Sequence, residues 1–392
     1  MKLIDFIIKL GENALKKPEK YFIPGHNGLY NDPETPLRNK GHWLIILRWI
    51  YKITGDSKCM NSAINLADDL YNQEARPHGY SFYHRYTEGK DNCNGLIGQA
   101  WTFETLAHAS EISHDSKYSE LAEEVFFQHP YNHDCGLWNR LEIDGDVLSI
   151  DPTFNHQLWF AACASLLKMQ RQEEMRERVF RFMDCLPQNL SVLENGLIYH
   201  PIERQLNQTG SDGSTKSRLK KFVKTSLSFL RAIDGTTKNS NQMYREKMIT
   251  KSVGYHPFNM YAFAMLKESV PDHPFWKSEK FGRSVDYLQS DELKNRLSDN
   301  IYGYSYNPPG FEVPYALSVL ANLSVDELVD ISSWWVNEQF NRCYNPETRM
   351  MDRKTNDLLT HTARIYEIIR LPISILERIE VDMQSIRRFR PN

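Results

Sequence analysis

The sequence predicts an all-α chain folded as a ring of six helix hairpins, an (α/α)6 barrel. Three observations predict it. One apolar helical segment recurs six times, four of the five intervals between recurrences are nearly constant, and the segments that follow carry a single apolar stripe and a charged face. A helix apolar nearly all round is covered on both sides, whereas a one-stripe helix faces water. The first set therefore forms an inner ring and the second an outer ring, and the repeated unit identifies a closed array of hairpins.

The stretch MKLIDFIIKLGENALKK reads as an amphipathic first helix. Its apolar run is broken by Asp5 and Lys9, and no small-residue cleavage site follows, so a secretory leader is not expected. The six apolar helices begin near Gly41, Gly95, Pro152, Pro257, Phe311 and Asp357, at intervals of 54, 57, 105, 54 and 46 residues. Two helices of four or five turns with their connections occupy about that length, so only the third interval is anomalous. It holds an insertion, roughly residues 205–252, with a polar QLNQTGSDGSTKS stretch and then a basic amphipathic LKKFVKTSLSFLRAI segment. An exposed decoration and a lid over one end of the ring are both open readings of it.

Outer helices follow from Ser116, Glu173 and Val325. The short turns TGDSK, SHDSK, VPDHP and NLSVDE carry stop and N-cap residues, which makes each inner and outer helix antiparallel neighbours. Longer hairpin-like loops precede the inner helices, and ring closure would gather all six around one mouth. The whole chain, 1–392, is expected to be one domain.

Composition limits the function. The net charge is −3, and basic residues are interspersed with acidic ones except in Lys216 to Lys224 and in Arg387, Arg388 and Arg390. No basic stripe suits nucleic acid. No run approaches the length of a membrane span. Six scattered cysteines without CxxC or Cys-His spacing point to reduced thiols and the cytoplasm. HExxH, EF-hand, Walker A and GxGxxG patterns are missing from the sequence, so neither a metal nor another cofactor is expected. Aromatic residues reach 12%, with 20 Tyr and 8 Trp, which suits a helical core or a sugar-stacking cleft.

The chemistry-bearing residues concentrate at the third repeat. Asp151 lies just before Pro152, a first-turn signal, so it can serve as an N-cap. Asn155 and His156 share the mouth end of the same helix. A carboxyl among aromatics there would have a raised pKa and serve as a general acid, with Trp138 and Arg140 supplied by the preceding hairpin.

The stretch SIDPTFNHQLWFA, Ser149 to Ala161, resembles the I-D-x-x-x-N-x-x-L-L-x-W-A helix start of unsaturated glucuronyl and rhamnogalacturonyl hydrolases. The resemblance implies that Asp151 is the catalytic acid/base, with Asn155 at the motif Asn. Gly98-Gln99-Ala100-Trp101 is similar to the R-G-Q-A-W of the same hydrolases, with Ile97 in place of the Arg. The resemblance also implies a second carboxylate, for which Asp91 is the positional candidate and Glu312 another. The six-repeat layout looks like that of toroid proteins from surface-glycan assembly clusters, the Agl cluster protein Q type.

Histidines recur at the mouth: His42, His84, His156, His200, His256 and His361. N-acylglucosamine 2-epimerases resemble this fold and use a His pair for proton exchange at a sugar carbon, which keeps an epimerase open. Arg38, Arg85, Arg140, Arg204 and Arg353 fall in mouth loops, where guanidinium groups suit a uronate carboxylate. Tyr83, Trp138, Tyr199, Tyr255, Tyr304 and Tyr306 are candidates for sugar stacking. The expected partner is a uronic-acid-containing oligosaccharide, processed by hydrolysis or by hydration of an unsaturated uronate. An epimerase and a non-catalytic glycan-binding or assembly protein are the alternatives.

Overall fold

A computed structural model describes residues 1–168, 170–203 and 237–388. Among the described residues, twelve principal helices alternate between an outer and an inner ring: α1 (Leu3–Lys16), α2 (Leu37–Thr54), α3 (Ser57–Tyr71), α4 (Gly95–Ser113), α5 (Lys117–Gln128), α6 (Phe154–Ala164), α7 (Gln172–Asp184), α8 (Thr237–Ser269), α9 (Glu279–Gln289), α10 (Pro309–Leu320), α11 (Val325–Cys343) and α12 (Leu358–Ala363). A 3-10 helix, Arg364–Arg370, continues α12. The even-numbered helices pack in the closed order α2, α4, α6, α8, α10, α12 and back to α2, and form the inner ring. The expected (α/α)6 barrel is what the chain forms.

Local signals place the helix ends. Gly55, at φ +71°, ends α2 by donating its N–H to Tyr51 O. Asp56 then caps α3, and Ser324 with Glu327 builds a capping box on α11. The outer position that follows α12 is filled by α1. Phe6 meets Phe340 and Tyr344 edge-on at 4.8 and 5.1 Å, and Leu3 N–H reaches Ile379 O at 2.9 Å. The first helix is thus held by residues from the far end of the chain.

Three elements depart from expectation. The third-repeat loop is a three-stranded antiparallel sheet, β1 (Tyr131–Asn132), β2 (Leu137–Leu141) and β3 (Val147–Ile150), with Asn139 opposite Ile150. The α6 helix starts at Phe154 with Thr153 as N-cap residue, two residues after Pro152. Pro257 lies inside α8, which begins at Thr237, so 237–252 extend the fourth inner helix. The rest of the expected insertion, 205–236, Arg204 among the mouth arginines and the basic stretch Lys216 to Lys224 lie outside the described residues. Between the two rings sits the core, with Trp43, Trp138, Trp159 and Trp335 fully buried.

Candidate active site

The loops that precede the inner helices lie over their N-terminal ends and are tied to each other there. Backbone bridges join Glu34 to Arg85 and Thr153 to Pro201. Beneath them is a cleft of about 200 Å³. That is below the roughly 300–1,000 Å³ typical of drug-sized ligands and suits one or two sugar rings.

The start of α4 organises the polar wall. Asn94 and Gly95 both have positive φ, +55° and +58°, which swings the first two N–H groups of the helix toward carboxylates. Gly95 N–H donates to Asp91 Oδ1 at 2.8 Å and Leu96 N–H to Asp151 Oδ2 at 3.2 Å. Both acids sit at the positive end of the helix dipole. A Cβ on Gly95 would lie 2.6 Å from Asp151 Oδ2 and 2.9 Å from His156 Nδ1, so glycine is required by space as well as by φ.

Asp151 is 2% exposed and also accepts from Thr153 N–H at 3.1 Å. Its Oδ2 lies 2.8 Å from His156 Nδ1. Burial alone pushes its carboxyl up, but His156, Arg140 and the Leu96 N–H outweigh that and hold it well below the usual carboxylate range. This corrects the expectation of a raised pKa, because cations and N–H groups surround the carboxylate where aromatic rings were expected. Among the two, His156 lines the cleft and Asp151 stands behind it. A carboxylate on Nδ1 fixes the tautomer with Nδ1 as donor, which leaves Nε2 as the nitrogen available to the cleft.

Asp91 is clamped by two arginines, Arg85 at 2.9 Å and Arg140 at 2.7 Å. Against the effect of burial these hold its carboxyl below the ordinary value. Arg140 also donates to Ser149 Oγ. Arg85 reaches the cleft, where Asp32 receives Lys90 at 2.5 Å and Arg85 at 3.5 Å. On the far wall Arg364 is held by Glu312 at 2.5 Å and Glu367 at 2.8 Å. Burial raises both carboxyls, Glu312 well above its ordinary value and Glu367 to about 7. Arg38 pairs with Glu34 at 3.0 Å and stacks 3.7 Å above Trp101.

Among the described residues, five cations, Arg38, Arg85, Lys90, Lys251 and Arg364, line the cleft with one carboxylate, Asp32. Tyr30, Tyr255 and Tyr306 add a phenol cluster, with 3.1 Å between the Tyr255 and Tyr306 hydroxyls. His200 packs 4.6 Å from the Tyr255 ring, and its Nδ1 has no hydrogen-bond partner among the described residues. Burial, Lys251 and His156 push its imidazole well below the usual range, so it is neutral.

Of the residues expected from sequence, the cleft gathers Arg38, Arg85, Trp101, Asn155, His156, His200, Tyr255 and Tyr306. Asp91, Arg140, Asp151 and Glu312 stand behind it and hold its lining. His361 lies deeper, bonded to Gln339 and beside a small cavity next to Arg38 and Arg364. Other expected residues face elsewhere, Tyr304 among them. Trp138 is sealed among Phe126, Phe160 and Phe182, because the central strand β2 is buried on both of its faces. Gln99 is used by the backbone of Phe82 and Cys93. His256 joins Ile198 N–H to Ser284 O. The six mouth histidines therefore reduce to two in the cleft; His42, for example, stacks on Tyr366 at 4.4 Å. Asn27, Tyr30, Asp32, Lys90, Lys251 and Arg364 were not among the expected site residues. The first two and Asp32 come from the first mouth loop, whose repeat position was the available signal.

Among the described residues, no group of three or more His, Cys, Asp or Glu side chains is arranged to hold a metal ion. No helix among them is long and apolar enough to cross a membrane.

No family model matches the chain. The crystal structure of a D-mannose isomerase superposes with TM-score 0.57 at 13% identity, covering 92% of this chain and 97% of that one. A cellobiose 2-epimerase from Bacillus thermoamylovorans gives TM-score 0.58 at 9% identity, with 91% and 98% covered. An inactive variant of an α-1,6-mannanase from Salegentibacter in complex with α-1,6-mannotriose gives 0.53 at 13% identity, with 93% and 98% covered. The fold is thus shared with carbohydrate isomerases, epimerases and glycoside hydrolases. Archaeal glycosylation protein Q of Haloferax volcanii is 37% identical over 360 residues, 91% of this chain and 94% of that protein. With identity at that level along nearly its whole length, the chain belongs to the family of archaeal glycosylation protein Q.

Proposed function

We propose that the protein is a glycan-processing enzyme that acts on a uronate-bearing sugar by proton transfer, with His156 as the acid/base group and Asp151 as the residue that orients it. The observation that carries this reading is the 2.8 Å Asp151–His156 contact at the wall of a cation-lined cleft. The relative's name places it in glycosylation, and a fold neighbour was solved with an oligosaccharide bound, which supports a glycan as the substrate class.

One dyad suffices to hydrate an unsaturated uronate. Protonated Nε2 gives its proton to C4 of the C4=C5 bond, and neutral Nε2 then takes a proton from water as the hydroxide bonds to C5. Asp151 stays ionised throughout and provides the counter-charge when the ring is an imidazolium. Hydrolysis by two carboxylates finds less support, since Asp91 and Glu312 are engaged by buried arginines and neither lines the cleft. A second reading, epimerisation, is favoured by one observation: His200 is a second, neutral imidazole in the same cleft. Removal of a proton by one ring and its return by the other would invert a carbon.

The test is incubation of saturated and unsaturated uronic-acid disaccharides in heavy water, followed by ultraviolet absorbance, reducing-end release and NMR. Loss of the C=C absorbance with one deuterium incorporated marks hydration. Deuterium exchange in a saturated sugar without cleavage marks epimerisation. His156→Gln should reduce either activity about 100-fold or more, and full turnover in that variant would refute the assignment.

A further inference from the structure

The cations of the cleft differ in whether they already have a counter-charge. Arg38 has Glu34, Lys90 has Asp32, Arg85 has Asp32 and Asp91, and Arg364 has Glu312 and Glu367. Lys251 has no carboxylate partner and no hydrogen-bond acceptor among the described residues. Its ammonium instead stands 5.4 Å from the Tyr30 ring centroid and 5.5 Å from that of Tyr255. Aromatic faces attract a cation without neutralising it, so the charge remains available to a ligand. His200 beside it is neutral and offers no competing charge.

We infer that Lys251 is the residue that binds the carboxylate of the acidic sugar and so selects it over neutral sugars. The inference rests on the uronate reading above and deepens it by naming the recognising group. Charge matching favours a carboxylate over a phosphate. One unpaired ammonium balances a monoanion, whereas a phosphate dianion would need a second free cation, and the others lining the cleft are paired. Lys251 sits on the part of α8 that extends the fourth inner helix beyond the six-repeat pattern, one residue before Ser252, whose Oγ accepts the His200 N–H at 3.0 Å. The same turn of helix therefore fixes both the lysine and the loop carrying His200.

The experiment is calorimetric binding of three probes, methyl glucuronoside, its methyl ester and glucose 6-phosphate, to wild type, Lys251→Met and Lys251→Gln. Wild type should bind the uronate about tenfold or more tightly than the ester, the range of a charged hydrogen bond. Both variants should lose that ratio while binding the ester as wild type does, and two substitutions guard against one failing to fold. Unchanged selectivity in a folded variant, no selectivity in wild type, or tighter binding of the phosphate would each overturn the inference. His156→Gln should keep the binding ratio. Selective binding without turnover of any uronate would therefore sink the enzymatic reading and leave Lys251 standing, whereas turnover with unaltered selectivity in Lys251→Met would do the reverse.

Discussion

Gly95→Ala tests the dyad without removing any atom of it. The added Cβ would stand 2.6 Å from Asp151 Oδ2 and 2.9 Å from His156 Nδ1. A carbon and an oxygen that are not bonded need about 3.3 Å, so one of the groups must retreat by about 0.7 Å. Moving the His156 ring cannot relieve the contact with Oδ2, so the Asp151 carboxylate is itself pushed from the Leu96 and Thr153 N–H groups that anchor it, and the His156 side chain, 25% exposed, shifts with it. The 2.8 Å contact between the two is thereby displaced from its geometry. A misplacement of this size is expected to cost about 100-fold in rate. Alanine at φ +58° adds roughly 1–2 kcal/mol of backbone strain. The assay is turnover of the proposed uronate substrate with a parallel urea titration, repeated on a His156→Gln background. There the Gly95 change should slow the residual rate little, because the two substitutions remove the same interaction. Turnover within twofold of wild type, or a full additional loss in the double variant, would refute the argument.

Arg364→Met should destabilise the protein by about 3–5 kcal/mol at pH 7, since it leaves Glu312 and Glu367 buried without their cation. Urea titrations at pH 7 and pH 5 should show a smaller cost at pH 5, where these raised carboxyls are protonated. Trp138→Ala should cost about 3–5 kcal/mol in the same titration and leave the KM unchanged, because the indole lies in the core. Uronate binding should weaken as pH rises through about 8, the value to which burial and then Lys247 push Lys251. The phenols of Tyr30 and Tyr255 stay above that window and His200 below it, so the lysine is the group among these that changes charge. The sign for the free protein is opposite. Lys251 binds fewer protons folded than unfolded, so stability rises from pH 8 toward the ordinary lysine value, and thermal melts without ligand should record this.

The ring was legible because covering a helix on both sides leaves an all-round apolar segment that no surface helix needs. Asp151, His156, Asp91 and Arg85 could be grouped from sequence because they share one phase of the repeat. Which of Asp151 and His156 lines the cleft could not be read. It is set by Leu96, which comes from the preceding repeat, and by the positive φ of Gly95, neither of which leaves a pattern near Asp151. Trp138 misled because Leu137, Trp138, Arg140 and Leu141 are all buried, so the strand shows no alternation to tell a cleft face from a core face. Lys251 was hidden by its position, in a segment that breaks the repeat spacing and reads as an addition.

The seating of α1 against Phe340, Tyr344 and Ile379 has a consequence for how the chain is made. A ribosome releases residues in order, so the first helix emerges with its apolar face uncovered and waits for partners more than 300 residues downstream. The hairpins between can pair as they appear, since each needs only a neighbour, but the seam cannot close until synthesis has passed Ile379. Contacts of such sequence separation slow folding, because a long loop must be ordered before they reward it. The last step is then a single docking event, and until it occurs the incomplete ring exposes an apolar edge at both ends that a chaperone or a second nascent chain can occupy.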